Sequence, residues 1–386
     1  MGITDHLPSI QADQPPPARL ASFVEIGRWR AERYGDQPAY TFLAPGRGEA
    51  ETIRYETLDR RVRALAAALS ASGQRGQRVL IVQQPGLEYI TSLFACMYAG
   101  MVAVPVYPLD GFRLQHTLPR LQAITRDADA TILLTSRDAL IAGSSAEDDT
   151  DAGPLGDLCK QAVLRSDRID ESLAETYKHE TPHRNDLAIL QYTSGTTGQP
   201  RGVALQHRHL LANAQQIYAA YHVPDAVCVF WLPPYHDMGL VGGLLLPMFA
   251  GRRSVLMSPT SFVQQPAAWL QAISDYRGTT TASPNFGYEL CLRKVGDEVL
   301  ESLDLSSLRV AISGAEPIRA ATLQRFALRF AACGLQSSAL TPAYGMAEAT
   351  LAITGKPLSE EPIAIQFDAL QLQQNLAVPA DGIPAT

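Results

Sequence analysis

The sequence predicts an α/β fold in which parallel strands alternate with helices that cover both faces of a doubly wound sheet. Short apolar runs alternate with longer segments of helical periodicity from residue 78 to residue 342, which is the rhythm of β-α-β units. Several of the apolar runs end in glycine, proline or polar residues, at the positions where open α/β sheets bind ligands. The chain has 386 residues, enough for two or three compact subdomains.

Charge, cysteine usage and hydropathy narrow the class of protein. The net charge is −7, so the chain has no basic excess for a nucleic-acid surface. The five cysteines lie far apart and form no Cys-x-x-Cys pair, which predicts reduced thiols and a cytoplasmic protein. The most apolar stretch, residues 239–251, is too short to cross a bilayer and contains Pro247, so we expect no membrane insertion.

The first part of the chain predicts a flexible arm at residues 1–20 and a first α/β subdomain at residues 21–185. A helix is expected at residues 23–34, because apolar residues recur there at helical spacing. Two strands joined by a Gly/Pro turn follow, and then a helix capped by Thr57. Residues 143–157 are small and acidic and predict a surface loop. The strands of this part are predicted at 40–43, 51–55, 78–82, 102–106 and 131–135, with further helices at 88–98 and 114–126.

The second part continues the same rhythm and predicts a second α/β subdomain at residues 186–355. Its strands are expected at 187–190, 227–232, 254–257, 279–282, 309–312 and 338–342. Its helices are expected at 207–221, 239–249, 267–277, 286–295 and 319–332. Residues 356–386 are rich in Gln, Ala and Pro and are interpreted as an incomplete tail.

A stretch rich in glycine and hydroxyl groups, LQYTSGTTGQPRG at residues 190–202, follows a predicted buried strand. Glycines reach positive φ without strain, so successive backbone N–H groups can converge on an anion, and the hydroxyls add donors. Arg201 adds a permanent positive charge. The composition alone fits a flexible linker equally well, but the strand before it and the apolar residues after it favour a polyphosphate site. The spacing is not that of a Walker loop, because Gly198 is followed by Gln-Pro-Arg-Gly.

Polar residues also follow three later strands. After the strand ending at Leu232 comes PPYHDMG, in which His236 and Asp237 could do acid/base or orienting work. Taken alone, this pair fits a turn with a hydrogen-bonded histidine better than a site. After the strand at 309–312 comes SGAEP, whose small residues let a flat ring approach the backbone. A strand-to-helix turn with proline near the helix start is the alternative for SGAEP.

The last of these stretches is AYGMAEAT at residues 343–350. It offers the aromatic face of Tyr344 and the carboxylate of Glu348, which could hold Mg²⁺ beside phosphates. The alternative is a loop with a surface glutamate. Together the four strand ends supply a phosphate nest, a cation-binding carboxylate, a stacking aromatic ring and a polar His–Asp pair. This set suits a carboxylate-activating site, where an acid attacks the α-phosphate of ATP and charge on the phosphates must be stabilised.

These four stretches, in this order, resemble the adenylate-forming superfamily, and PPYHDMGL, SPNFGYELCLRKV, SGAEP and AYGMAEAT resemble its fatty acyl-AMP ligases. The resemblance implies the N-terminal domain of such a ligase, with two packed βα subdomains, the second holding the ATP and acyl sites. It implies ATP and Mg²⁺ as cofactors, a fatty acid as substrate and an acyl carrier protein as partner.

The same resemblance implies roles for individual residues. Triphosphate binding would fall to Thr193, Ser194, Gly195, Thr196, Thr197 and Gly198, with Arg201 beside them. His236 would lie near the carboxylate and the α-phosphate, and Glu348 would bind Mg²⁺. The adenine would be surrounded by Gly314, Ala315, Glu316, Pro317, Tyr344, Gly345 and Met346. The acyl tunnel would be lined by Met238, Gly239, Asn285 and Phe286.

The sequence departs from the family pattern at three points. Arg201 stands where the family usually has Lys, which keeps the charge but changes its geometry. Ala347 stands where many members have Thr, as is common in fatty acyl-AMP ligases. The family continues with a small lobe, a Thr-Gly-Asp motif and a mobile C-terminal domain; the nearest string here is Thr354-Gly355-Lys356. We therefore expect an N-terminal part with weak activity of its own. An acyl-CoA synthetase and a non-catalytic binding module are the alternative hypotheses.

Overall fold

The computed structural model describes residues 13–44, 50–108, 114–139, 155, 158–193 and 200–380. The strands are β1 (Pro38–Leu43), β2 (Ala50–Arg54), β3 (Arg78–Val82), β4 (Val102–Pro105), β5 (Ala130–Thr135), β6 (Ala162–Arg165), β7 (Leu187–Thr193), β8 (Arg201–Gln206), β9 (Val227–Phe230), β10 (Arg253–Met257), β11 (Thr280–Ser283), β12 (Val310–Ser313), β13 (Leu340–Gly345) and β14 (Ala352–Gly355). The helices are α1 (Phe23–Tyr34), α2 (Tyr55–Ser72), α3 (Leu87–Tyr98), α4 (Leu114–Ala128), α5 (His207–Ala220), a π-helix (Met238–Leu245) that continues into α6 (Leu246–Ala250), α7 (Pro259–Gln264), α8 (Ala267–Asp275), α9 (Asn285–Lys294), α10 (Asp297–Leu300), α11 (Ala320–Phe330) and α12 (Ala369–Gln373). Short 3₁₀ turns occur at Ser166–Arg168, Glu171–Thr176, Ala331–Cys333, Ser337–Ala339 and Ala347–Ala349.

The strands form two mostly parallel sheets, which confirms the predicted α/β class. The eight-stranded sheet has the order β14-β13-β12-β11-β9-β10-β1-β2, and the six-stranded sheet has the order β6-β5-β3-β4-β7-β8. Antiparallel pairing occurs at sheet edges, in β1–β2, β13–β14 and β7–β8. The parallel strands are buried on both faces, as their continuous apolar runs predict.

The two sheets divide the chain differently from the predicted boundary at residue 186. The hairpin of β1 and β2 joins the eight-stranded sheet, where Tyr40 pairs with Ser254 of β10. Strands β7 and β8 join the six-stranded sheet instead, where Ala103 of β4 pairs with Ile189. Strand pairing of this kind depends on contacts remote in sequence, which local periodicity does not encode. The strands that flank the phosphate stretch and the strands that lead into the three later motifs therefore belong to different sheets.

Two helix predictions need correction. The helix expected to be capped by Thr57 begins at Tyr55, and its N-cap residue Arg54 makes no side-chain cap hydrogen bond. The apolar segment expected as one helix at residues 239–249 begins as a π-helix, in which Leu246 N–H donates to the carbonyl of Val241, five residues earlier. The ordinary α-helical pattern resumes only at α6, whose first turn contains Pro247, a residue without an N–H to donate.

Residues 13–20 of the predicted flexible arm are fixed to the body of the protein, whereas residues 1–12 lie outside the described part. The carboxylate of Asp13 pairs with the guanidinium of Arg252 at 3.1 Å, and the Asp13 side chain is only 4% exposed. The carbonyl of Gln14 accepts a hydrogen bond from Arg30. The arm is therefore held by two arginines of the folded core.

Arg30 connects α1 to the helix that follows the π-helix. Its side chain is fully buried, and its Nε and Nη2 donate to the carbonyls of Met248 and Phe249 at 3.3 and 2.7 Å. Its guanidinium also lies 4.6 Å from the ring centre of Trp29. Carbonyls at the end of a helix lack partners within the helix, so a buried arginine can donate hydrogen bonds to them. Its positive charge also interacts favourably with the negative end of the helix dipole.

The described helices differ from those that span a bilayer, as the sequence predicts. None of them combines the length and the apolar character needed to cross a membrane.

Candidate active site

A cavity of about 560 Å³ lies between α5, the π-helix and one face of the eight-stranded sheet. It brings together six of the residues predicted from the sequence, His236, Met238, Gly314, Ala315, Tyr344 and Gly345. Val310 at the start of β12 and Gly314 just after its end both line it. Four strand steps separate these two residues, so the cavity extends about 13 Å along the sheet.

His236 and Asp237 form a hydrogen-bonded pair at one end of this cavity. Nδ1 of His236 lies 2.8 Å from Oδ1 of Asp237, and the imidazole is about half exposed. The N–H of Met238 lies 2.7 Å from the same carboxylate oxygen and 3.3 Å from Nδ1. The shorter distance assigns this N–H to Asp237, so Nδ1 carries a proton and donates to the carboxylate. Nε2 is then the nitrogen left to act on a ligand.

The hydrogen bond that His236 donates to the Asp237 carboxylate raises the pKa of His236, against the opposing effect of burial. Replacing Asp237 with asparagine should therefore lower the His236 pKa, which NMR titration of the imidazole would measure. Because the folded pKa is the higher one, the pair stabilises the fold fully below about pH 6.5, the ordinary histidine value. This contribution is lost as the pH rises through the folded pKa. An unchanged His236 pKa in Asp237→Asn would contradict the assignment.

The loop that carries His236 is tied to the six-stranded sheet and to α3 by two buried side chains. The side-chain amide of Gln191 donates to the carbonyl of Tyr235 at 2.8 Å, and the hydroxyl of Tyr89 donates to the carbonyl of Pro234 at 3.1 Å. Gln191 lies in β7, two residues before Thr193, where the described part of the phosphate stretch ends. These two hydrogen bonds hold the loop that carries His236 close to the carboxyl end of β7. Sequence reasoning missed Gln191, although its polar side chain inside an apolar strand was a signal.

Gly314 and Ala315 of the SGAEP turn, the first two residues after β12, line the cavity. A Cβ on Gly314 would lie 3.0 Å from the carbonyl oxygen of Ala343, so glycine lets β12 and β13 end close together. Ala315 has a φ of 66°, a left-handed conformation that costs an alanine about 1–2 kcal/mol. Backbone strain of this kind is often found at binding sites.

The remaining residues of this turn fasten it to α9 and do not line the cavity. The Glu316 carboxylate accepts a hydrogen bond of 2.5 Å from the N–H of Phe286, at the start of α9. In the same region the Asn285 side chain accepts one of 3.0 Å from the N–H of Arg319. A carboxylate near a helix N-terminus is favourable, so Glu316 has a structural role here. Pro317 is exposed and lies outside the cavity lining.

The AYGMAEAT stretch presents an open aromatic ring at the cavity. Tyr344 lines the cavity and is 58% exposed, so a face of its ring is available for stacking. A Cβ on Gly345 would lie only 1.9 Å from the carbonyl oxygen of Leu351, and the next N–H, that of Met346, donates to this same oxygen. The turn therefore requires glycine at 345. Glu348 is exposed in the following 3₁₀ turn, and neither it nor Met346 lines the cavity.

A match to a known family agrees with this geometry. A family model described as AMP-binding enzyme matches residues 27–367. The chain belongs to the AMP-binding enzyme family.

Individual relatives of this AMP-binding enzyme are fatty-acid ligases. It is 38% identical over 363 residues to the medium-chain-fatty-acid–[acyl-carrier-protein] ligase JamA of Moorena producens, covering 93% of this chain and 60% of JamA. It is 33% identical to the long-chain-fatty-acid–AMP ligase FadD26 of Mycobacterium bovis, covering 91% and 60%. The crystal structure of a fatty acyl-adenylate ligase from L. pneumophila, in complex with acyl adenylate and pyrophosphate, superposes with a TM-score of 0.84 at 34% identity, covering 95% and 62%. The chain thus spans about 60% of the length of these relatives.

The phosphate stretch of this AMP-binding enzyme is described only at its two ends. Thr193 ends β7 and pairs with Arg201, the exposed first residue of β8. The predicted phosphate-binding residues from Ser194 to Gly198 lie outside the described residues. Gly202 packs under the ring of Tyr192, where a Cβ would lie 2.9 Å from the ring, and the Tyr192 hydroxyl is hydrogen-bonded to Asp127. Thr193 and Arg201 are therefore paired neighbours in the antiparallel pair at the edge of the six-stranded sheet.

Of the four residues predicted to line the acyl tunnel, the structure places only Met238 in the cavity wall. Gly239 lies behind it, and a Cβ there would meet the carbonyl oxygen of Pro233 at 2.1 Å. Asn285 and Phe286 belong to α9 and do not line the cavity. The wall is instead completed by apolar residues, all but Leu351 in segments that the sequence predicts as helices or strands, namely Ile217, Tyr218, Tyr221, Phe230, Leu246, Ile312 and Leu351. Nothing in their apolar periodicity distinguishes a cavity wall from a core.

Proposed function

We propose that the chain binds ATP and a fatty acid and joins them as a fatty acyl-adenylate, releasing pyrophosphate. The observation that carries this proposal is a single cavity with polar groups at one end and an apolar interior. His236, Gly314 and Tyr344 meet at the end where the strands finish, and the walls beyond them are largely apolar. An acyl chain fits such a wall, and the carboxyl edge of an α/β sheet suits a nucleotide.

The reaction that this arrangement supports is a displacement at phosphorus. A carboxylate oxygen of the fatty acid attacks the α-phosphorus of ATP, and the bond from that phosphorus to the β-phosphate oxygen breaks. Both electrons of the broken bond leave with pyrophosphate. The raised pKa of His236 favours its protonated form, which places a positive charge next to the oxygens of the reacting phosphate. Asp237 holds the imidazole in this orientation.

The nucleotide would be held by residues from both sheets. Tyr344 stacks on the adenine, with Gly314, Ala315 and Gly345 against the ring, and residues 193–198 with Arg201 hold the triphosphate. Glu348, exposed in the 3₁₀ turn after Tyr344 and outside the cavity lining, would supply one carboxylate to a Mg²⁺ ion held mainly by the substrate phosphates. When bound, Mg²⁺ would neutralise charge on the phosphates. Among the described residues, no group of three potential metal ligands offers a complete protein site.

The product would pass to an acyl carrier protein, and the compartment would be the cytoplasm. JamA is named for its action on an acyl carrier protein, and this chain resembles it over 93% of its own length. All five cysteines are free and buried, which suits a reducing compartment.

The reaction is tested by exchange of labelled pyrophosphate into ATP. We expect exchange with a fatty acid such as decanoate, and none with benzoate or phenylalanine. Exchange that requires an amino acid or an aryl acid would overturn the proposal. Addition of coenzyme A should leave acyl-adenylate as the product, and formation of acyl-CoA would assign the chain to the acyl-CoA synthetases instead. Binding of an acyl-adenylate mimic without any pyrophosphate exchange would support the alternative hypothesis of a non-catalytic binding module.

The stacking role of Tyr344 gives a sharper test on the chain itself. Tyr344→Ala should weaken binding of decanoyl-sulfamoyl-adenosine, a non-hydrolysable acyl-adenylate mimic, by about tenfold or more, since base–aromatic stacking contributes about 1–3 kcal/mol. Isothermal titration calorimetry measures this. Met346→Ala is the matched control, because Met346 is 38% exposed in the same turn and does not line the cavity. Equal losses in the two variants would refute stacking on Tyr344.

A further inference from the structure

The end of the cavity remote from His236 contains a buried cation. Arg252 lines the cavity, and its side chain is only 2% exposed. It immediately precedes β10, whose first residue, Arg253, pairs with Val227, the first residue of β9. Arg252 therefore lies at the amino edge of the sheet, whereas His236 follows the carboxyl end of β9. An arginine at the inner end of a largely apolar wall is not needed to hold a plain hydrocarbon chain.

The guanidinium of Arg252 is only partly satisfied. Its Nε donates to Asp13 at 3.1 Å. Its Nη2 lies 2.9 Å from Nδ1 of His222 and donates to the carbonyl of Val223 at 3.2 Å. Within the described residues, Nη1 has no hydrogen-bond partner. Nη1 is not among the fully enclosed polar atoms that lack a partner, so it keeps some accessible surface. Because Arg252 lines the cavity, a ligand oxygen there can accept a hydrogen bond from this N–H group.

The charge balance decides what kind of oxygen this is. The positive charge of Arg252 is already matched by Asp13, whose side chain is 4% exposed. A second carboxylate at this depth would be a buried charge without compensation. A neutral oxygen, either a hydroxyl or a carbonyl, can accept from Nη1 at no such cost.

We propose that the cavity selects fatty acids that carry a hydroxyl or carbonyl oxygen at the end remote from the carboxyl group, with Arg252 as the specificity-determining residue. This inference rests on the proposed function. The roughly 13 Å of wall begins at Gly314, beside the adenine, so a chain of up to about ten carbons, at roughly 1.3 Å per carbon, brings its far end to the edge of the sheet where Arg252 lies. The chemistry at the phosphate is unaffected, so the effect lies in binding.

The proposed selectivity is tested by calorimetry on the unaltered protein with three acyl-sulfamoyl-adenosines. Their ten-carbon acyl groups are decanoyl, 10-hydroxydecanoyl and one with a terminal carboxylate. We expect the hydroxylated compound to bind about tenfold more tightly than the decanoyl compound, as one charge-assisted hydrogen bond would give. The dicarboxylic compound should bind no more tightly than the decanoyl one. Equal binding of the first two, or tightest binding of the third, overturns the inference. No variant needs to fold for this comparison.

A double variant then assigns the preference to Arg252. Arg252→Met combined with Asp13→Asn removes the ion pair without leaving a buried carboxylate, and it should abolish or reverse the preference for the hydroxylated compound. Arg253→Met is the control, because the neighbouring Arg253 bonds to Thr41 and lies outside the cavity lining. A preference that persists in the double variant overturns the assignment. If the decanoyl compound itself does not bind, the proposed function fails as well, whereas binding without preference refutes this inference alone.

Discussion

Replacing Gly239 with alanine should lower the rate of acyl-adenylate formation about a hundredfold and the free energy of unfolding by roughly 2–3 kcal/mol. A Cβ at this position would lie 2.1 Å from the carbonyl oxygen of Pro233 and 3.1 Å from that of Leu232. Both are backbone atoms, so no side-chain rotation relieves the overlap. The start of the π-helix must move away from the loop that carries His236, and the cavity wall at Met238 moves with it. Urea denaturation and pyrophosphate exchange measure the two effects.

Gly243 provides the control in the same π-helix. A Cβ there would have its nearest neighbour, a ring carbon of Phe230, at 3.7 Å, which is ordinary contact. Alanine is favoured over glycine in helices by up to about 1 kcal/mol, so Gly243→Ala should keep or raise the free energy of unfolding. A similar loss of stability in both variants would show that the close approach of Gly239 to Pro233 is not what constrains this position.

Replacing Arg30 with alanine should lower the free energy of unfolding by roughly 3–5 kcal/mol, the largest stability effect that we expect from a single side chain. The change leaves the carbonyls of Met248 and Phe249 without their donor and opens a cavity beneath α6. Arg30→Lys should recover only part of this loss, because an ammonium group cannot reproduce the fork of donors. The free energy is measured by urea denaturation with two spectroscopic probes.

Arg33, three residues further along α1, is the comparison for Arg30. It is exposed, and its Nε donates to the hydroxyl of Tyr34 at 3.2 Å. Arg33→Ala should change the free energy of unfolding by no more than about 0.5 kcal/mol. If Arg30→Ala were equally mild, the carbonyls at the end of α6 would have to be satisfied by other groups.

Local patterns in the sequence predict the elements of this fold well, because each element has its own periodicity. The bounds of α1 agree with the prediction, and the alternation from β3 to β13 follows the predicted rhythm. The four strand-end motifs were also found, since glycine, proline and paired polar residues are visible without a structure. Three of these motifs contribute residues to one cavity. The residues from Ser194 to Gly198 stay a prediction.

Features that depend on remote contacts could not be predicted from local patterns. The exchange of strands between the sheets is one example, and the polar end of the cavity at Arg252 is another. Glu316 was expected to line the adenine site, yet its carboxylate accepts a hydrogen bond from Phe286. The π-helix was missed because hydropathy does not reveal which carbonyl an N–H reaches. Apart from the π-helix, each of these features is fixed by a neighbour distant in the chain.

The position of the β1–β2 hairpin has a consequence for synthesis on the ribosome. Tyr40 pairs with Ser254, so the hairpin must wait for about 200 further residues before its partner β10 exists. At roughly 5–20 residues per second this wait lasts about 10–40 s. All strands of the six-stranded sheet precede residue 207 and can pair during that time. A nascent chain of that length carries an unpaired strand edge, which makes it open to aggregation and a target for chaperones.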